Sequence, residues 1–387
     1  MGIKKGNTLI NKYGKDISLE KLRGNIVIVD LFYLLHKFTR INISKPLYYI
    51  FEVINFIEKF KFYGIIPIFV IDGKPLLEKS KKIQRTKNKS TIKLNKLLET
   101  ENLNNVDLVD NIKANTLLKK SISINKEHID KCKDLFDRLD CLHIHITNCE
   151  GDTVIAELVS LLQKDLCVDD NVIVYVYSAD FDMFLYTSIK YILKELDFDK
   201  DTFKLYIKEV ILNDLNITHD ELILSGFITG TDYNCGLYKA TMESSIELIK
   251  SYGPFKTLND FLYNLPVINN NRPENHKILI PSYNFIDRYV LVTNIFSLNN
   301  TSKFNRTSII KFINENYLKI KKQNQTKNTL SNFFNVKYVL DYIQSITQDS
   351  YLIKKYSAKI TDYSILHFGI KFVIDIDDYD DYHDYDD

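Results

Sequence analysis

The sequence predicts an α/β fold, a central and mainly parallel sheet flanked by helices and followed by a helical C-terminal region. Two observations carry this. Short, β-branched apolar runs alternate with stretches of helical periodicity, the pattern of parallel strands joined by crossover helices. Four runs read as strands buried on both faces: "NIVIVD" (25–30), "GIIPIFVID" (64–72), "CLHIHIT" (141–147) and "NVIVYVY" (171–177). A third observation concerns where they stop. Asp30 and Asp72 end two of them, and Asp180 with Asp182 follows a third in "VIVYVYSADFDMF".

Each helix has its own signal. "LFYLLHKF" follows the first run, "YYIFEVINFIEKFKF" (48–62) precedes the second, and "KEHIDKCKDLFDRL" (126–139) places apolar residues at helical spacing before the third. "GDTVIAELVSLLQK" (151–164) precedes the fourth, and beyond residue 215 the spacing predicts helices at 218–228, 243–252, 281–296 and 306–318. Between 73 and about 125 the pattern weakens. There "KPLLEKSKKIQRTKNKSTIKLNK" (74–96) holds nine Lys or Arg against one Glu, which reads as a solvated helix or loop, or as a cationic surface. "KIKKQNQTKNT" (319–329) reads as a linker.

The chain has 387 residues, 45% of them hydrophobic, enough for a large core. Its net charge of +1 hides an asymmetry, because the last 14 residues, "IDIDDYDDYHDYDD", hold eight Asp and no Lys or Arg. Removing those eight negative charges leaves +9 on residues 1–374, a basic body suited to a polyanionic partner, with a low-complexity acidic tail over 375–387. The five cysteines lack CxxC spacing, which excludes a zinc signature or a disulfide framework and predicts a reducing compartment. No apolar run has the length of a membrane span, and "MGIKKGNT" is not a signal peptide, so the expectation is a soluble intracellular protein, likewise monomeric.

In a parallel sheet the three Asp-terminated strands end on one edge, where open α/β sheets carry their ligands. In an extended chain Asp180 and Asp182, two residues apart, point the same way. Glu150 and Asp152 open the 151–164 helix, where acids suit the positive end of the helix dipole, and alone they read as a cap. Asp232, in "FITGTDYN", alone reads as an ordinary turn residue. Seven carboxylates at one rim repel one another, so some protonate unless cations are bound. All-oxygen donors favour Mg²⁺ or Mn²⁺ over zinc. Two such ions about 3.5–4 Å apart support phosphodiester hydrolysis, which in turn calls for a cationic surface nearby.

In order along the chain, these motifs resemble the flap endonuclease family of the XPG/Rad2 type, structure-specific 5′ nucleases with a PIN-like fold. The resemblance spans roughly residues 1–255 and rests on "MGI", "IVIVD", "GIIPIFVIDGKP", "CEGDTVIAEL", "SADFDMFLY" and "ITGTDYN". It implies a nuclease domain over 1–255 with a helical arch at about 73–125, a helical extension over 256–318, and a linker and C-terminal segment over 319–374. It implies two Mg²⁺, with Mn²⁺ as a substitute: Asp30, Asp72, Glu150 and Asp152 for the first, and Asp180, Asp182 and Asp232, helped by Asp152, for the second. Lys79 then contacts the scissile phosphate, and Arg85 stands one residue short of a second such cation. Gly2, His36, Lys74, Lys81, Lys82 and Lys239 are the implied DNA-binding positions.

Three departures qualify the match. His36 replaces a base-stacking tyrosine, so it either stacks or is a buried, hydrogen-bonded histidine. Lys239-Ala240-Thr241 replaces the glycines that let hairpin amides approach a DNA phosphate, and Asp152 shortens a glutamate by one methylene. Near the end "KNTLSNFFNV" resembles a sliding-clamp box through Leu330, Phe333 and Phe334, or else is a short amphipathic helix packed on its own domain.

The implied function is cleavage of flapped or branched DNA, at sites of replication, repair or recombination in the nucleus or cytoplasm. Heavy use of Asn, Lys, Ile and Tyr suggests an AT-rich genome and a divergent member, such as those of large DNA viruses, which replicate in viral factories. The alternatives are a junction-resolving recombination nuclease of the same superfamily, an inactive DNA-binding scaffold that keeps the fold, or a phosphatase using "DFD" as an acidic nucleophile.

Overall fold

The computed structural model describes residues 3, 5–40, 47–76, 79–80, 92, 124–165, 172–237, 240–255, 257–272, 277–278, 280, 284–299, 306–316 and 345. The sheet has seven strands in the order β1-β7-β6-β5-β2-β3-β4. They are β1 (Lys15–Ser18), β2 (Ile26–Asp30), β3 (Ile66–Ile71), β4 (Leu142–His145), β5 (Val174–Tyr177), β6 (Tyr191–Asp197) and β7 (Thr202–Ile207). Strands β4, β3, β2, β5 and β6 run parallel. Strand β7 returns antiparallel to β6, and β1 antiparallel to β7.

Period-2 alternation divides each central strand between two cores. Ile26, Ile28, Ile68, Val70, Val174 and Val176 face one, and Val27, Val29, Phe69, Ile71, Tyr175 and Tyr177 face the other. Helices α2 (Leu31–Thr39), α3 (Tyr48–Phe62) and α4 (Lys126–Arg138) cover the second core. The first is covered by α5 (Gly151–Asp165), by α7 (His219–Thr229), α8 (Met242–Tyr252), α9 (Leu258–Asn270) and α10 (Phe285–Phe296), and by the short α1 (Gly6–Ile10). Helix α6 (Lys208–Leu215) follows β7, and residues 306–316 form the last described helix, α11.

Hydrogen bonds start the later helices where the sequence supplies them. Thr218 and Glu221 form a capping box on α7, and Thr241 with Ser244 forms one on α8. The hairpin of α7 and α8 is cross-linked by Thr229 and Ser245, whose hydroxyls lie 2.9 Å apart. The helix expected at 281–296 begins at Phe285. Among the described residues no helix is long and apolar enough to cross a membrane.

Candidate active site

The sheet places its acids by register. Val29 of β2 is opposite Tyr177 of β5, so Asp30 and Ser178 leave the sheet side by side. They do so where the chain order reverses, β3 lying on one side of β2 and β5 on the other, which is the crevice that binds ligands in open α/β sheets. Asp30 caps α2 by accepting from the Tyr33 amide at 3.0 Å, and its second oxygen accepts from the Ser178 hydroxyl at 2.9 Å. Ser178 Oγ in turn accepts the Asp180 amide at 3.2 Å, and Asp180 accepts the Asp182 amide at 3.2 Å. The chain here is not extended as the sequence reading expected. Asp180 caps a 3₁₀ turn, Phe181–Phe184, because its carboxylate takes the Asp182 amide and tightens the backbone.

A second group lies across the crevice. Asp72 follows β3, and a Cβ on Gly151 would stand 1.8 Å from its Oδ1, so glycine lets the start of α5 close on that carboxylate where it stands. Glu150 stands just ahead of α5, its carbonyl accepting from the Val154 amide, while its side-chain oxygens accept from the Leu76 amide at 3.1 Å and the Tyr233 hydroxyl at 2.6 Å. Lys79 Nζ lies 2.7 Å from Asp152 Oδ2 and 4.0 Å from Glu150 Oε1. Asp232 is buried in the turn after α7, whose Thr231 amide and hydroxyl both donate to Asn234 Oδ1.

The seven carboxylates are linked through their charges. Burial, then the charge of Asp152, lifts Asp30 to about 7, and burial with Asp30 and Asp152 lifts Asp72 to about 8. Asp180 rises to about 6 through burial, Asp152 and Asp232. Asp182 stands well above the ordinary range through burial, Asp180 and Asp232. Burial also raises Glu150, against the lowering effect of Lys79 and Tyr233. For Lys79 burial opposes the charge, but Asp152 and Glu150 outweigh it and keep the ammonium well above its usual value.

Such a rim suits hard cations, because oxygen donors dominate it and the buried Asp182 Oδ1 has no hydrogen-bond partner. Among the described residues, however, no three His, Cys, Asp or Glu side chains form a ready-made metal-ligand group. Lys79 neutralises part of the charge, and Tyr33, Ser178, Leu76 and Tyr233 hold other carboxylate oxygens.

Of the remaining expected residues, Lys74 is exposed just past Asp72, and His36 lies half-buried on α2, edge-on to Phe32 at 6.5 Å. Gly2, Lys81, Lys82, Arg85, Lys239, Leu330, Phe333 and Phe334 lie outside the described residues, as does nearly all of 73–125. The sequence reading did not single out Ser178, Gly151 or Tyr233 as parts of the site. All three nevertheless lay in motifs it used: Gly151 in "CEGDTVIAEL", Ser178 in "SADFDMFLY" and Tyr233 in "ITGTDYN".

A family model described as the XPG N-terminal domain matches residues 1–93. Similar curated proteins include flap endonuclease 1 of Methanosphaera stadtmanae, 27% identical over 255 residues, covering 61% of this chain and 72% of that protein. Flap endonuclease 1 of Methanosarcina acetivorans is 27% identical over 266 residues, covering 62% of this chain and 73% of its own. Among solved structures, the catalytic core of Rad2 in complex with a DNA substrate superposes with TM-score 0.56 at 19% identity, covering 84% of this chain and all of that one (100%). The Holliday junction-resolving enzyme GEN1, in complex with product DNA and Mg²⁺, gives TM-score 0.53 at 15% identity over 89% of this chain and 73% of that one. At these identities the two superpositions speak for the fold.

Proposed function

We infer that this chain is a member of the XPG/Rad2-type flap endonuclease family, and on that premise we propose that it is a divalent-metal-dependent, structure-specific 5′ nuclease acting on flapped or branched DNA. One observation supports the reading: carboxylates from five separate segments act on one another's ionisation at the sheet's ligand edge, and Lys79 pairs with Asp152 there. A rim this acidic costs folding energy, and a polyanion-cutting site that holds cations accounts for that cost.

Asp30, Asp72, Glu150 and Asp152 would hold one Mg²⁺, and Asp180, Asp182 and Asp232 a second. Bound there, the ions would activate the attacking water and neutralise the departing oxygen. Hydrolysis adds water across the phosphorus–O3′ bond and leaves a 3′-hydroxyl and a 5′-phosphate. Ser178 keeps Asp30 and Asp180 in fixed relation throughout, and Tyr233 fixes Glu150. Lys79 exchanges Asp152 for a phosphate oxygen of the substrate, so the same ammonium offsets the rim in the free protein and the developing charge in the complex.

Labelled 5′ flaps, gapped duplexes and four-way junctions, each incubated with Mg²⁺, test the reading and rank the substrates. Asp180→Ala is expected to abolish cleavage while leaving flap binding intact. Unchanged cleavage in that variant would sink the proposal, and preferential turnover of junctions would move it to the resolving branch.

A further inference from the structure

The site as described makes no use of Lys194, which β6 buries to 6% exposure. Its ammonium donates to Asn7 Oδ1 of α1 at 2.7 Å and to the Ala179 carbonyl at 3.1 Å, immediately before Asp180. The Asn7 amide donates to the same carbonyl at 3.4 Å, so helix, strand and turn meet in a closed triangle. The same ammonium lies 5.2 Å from the ring centre of Phe184, at the far end of the 3₁₀ turn, and 5.5 Å from that of Tyr206. Lys194 thus touches both ends of the turn that carries Asp182. Helix α1 also presses on this turn: a Cβ on Gly6 would fall 2.5 Å from the Phe181 ring.

Both hydrogen-bond acceptors of Lys194 are neutral. A charge buried on neutral acceptors is costly, and an apolar chain of similar length would fill the space between Phe184 and Tyr206 without that cost. Burial pulls the ammonium down to about 8, against the raising fields of Asp180 and Glu195. The charge therefore needs a role other than packing.

We propose that Lys194 is a positioning residue that locks the turn bearing Asp180 and Asp182 to the first helix, so that one half of the acidic rim is set only when that helix is docked. The functional part of the test rests on the nuclease reading; the structural part does not.

The test compares full-length wild type, Lys194→Met, Lys194→Arg and Asn7→Ala. It reads hydrogen exchange in peptides covering 5–14 and 178–185, Mn²⁺ affinity by calorimetry without DNA, and steady-state constants on a 5′ flap. In Lys194→Met, exchange is expected to rise in both peptides together. Mn²⁺ binding is expected to weaken about 10–100-fold, the range for losing a group that orients a ligand, and kcat to fall with KM nearly unchanged. Lys194→Arg should restore most of each signal, and Asn7→Ala should reproduce the pattern in weaker form. The proposal is overturned if Lys194→Met only lowers Tm, with Mn²⁺ affinity unchanged, or if exchange rises in one peptide alone. Should Lys194→Met fail to fold, the paired exchange in Asn7→Ala decides by the same criterion. If the wild type cuts no DNA structure, the nuclease reading fails, while the exchange and Mn²⁺ results still judge Lys194.

Discussion

The two sides of the acidic rim are held in different ways. On the side of β2 and β5, Asp30, Ser178, Asp180 and Asp182 are strung together by amide and hydroxyl donors within 3.2 Å, all of them neutral. On the side of α5, Asp152 is held by the ammonium of Lys79, which enters from the basic segment after β3, while Glu150 leans on Leu76 and Tyr233. The first side is set by the strand ends and by the buried tie from Lys194 to α1. The second depends on the Lys79 ammonium, and under the proposed function a phosphate would compete for that cation, so the charge balance of this side would change with DNA or metal while the first side held still.

Gly151→Ala should disturb this arrangement most severely, since the new methyl meets Asp72 Oδ1 and displaces that carboxylate within the α5 side of the rim. A displacement of about 1 Å at a reacting centre costs about 100-fold in rate, so single-turnover flap cleavage should fall at least that far. A fall of less than about threefold would show that the Asp72 carboxylate need not keep its place.

Lys79→Met comes next. Removing one partner of a largely buried ion pair costs about 3 kcal/mol, read as a lower urea midpoint in EDTA. Saturating Mg²⁺ should then stabilise the variant more than the wild type, because the ion takes over the lost positive charge. Equal Mg²⁺ stabilisation in both proteins would mean that the ammonium and the metal do not share the rim.

Ser178→Ala should have the smallest effect, about 1–2 kcal/mol by urea unfolding, from one lost hydroxyl and the Asp180 amide left short of an acceptor. Its Mn²⁺ affinity should drop while the Lys79–Asp152 pair persists. A loss as large as that of Lys79→Met would erase the distinction between the sides.

Much of this was legible in the sequence because strand ends are legible. The doubly buried runs before Asp30, Asp72 and Ser178 have few alternatives as structure, and parallel order alone sends their ends to one edge. Ser178 was not legible: a serine between an apolar strand and two aspartates carries no periodic signal, and its bond to Asp30 spans 148 residues. The antiparallel pair of β6 and β7 was missed because "YILKELD" and "TFKLYI" mix charged with apolar residues, as half-exposed strands near a sheet edge do. Helix α9 was missed because it contains Pro266 and is rich in asparagine, residues that read as loop. The 3₁₀ turn was missed because its cause is a side chain bonding its own backbone, which competes with the extended form locally.

Strand β6 carries one residue too many for its partner: Lys194 is opposite Lys204 and Asp197 opposite Thr202, so Glu195 and Leu196 together face Phe203, with Glu195 at φ 51°. Through this bulge Lys194 turns into the first core while Leu196 returns to the second. Deleting Glu195 would restore plain alternation, with Leu196 opposite Phe203 and still on the second core, and would leave both flanking residues on their own faces. For chain length this strand is therefore forgiving at one place: it can lose the letter at Glu195 and keep its neighbours on their own sides of the molecule, whereas the same loss in a strand without a spare residue rewrites which side they belong to.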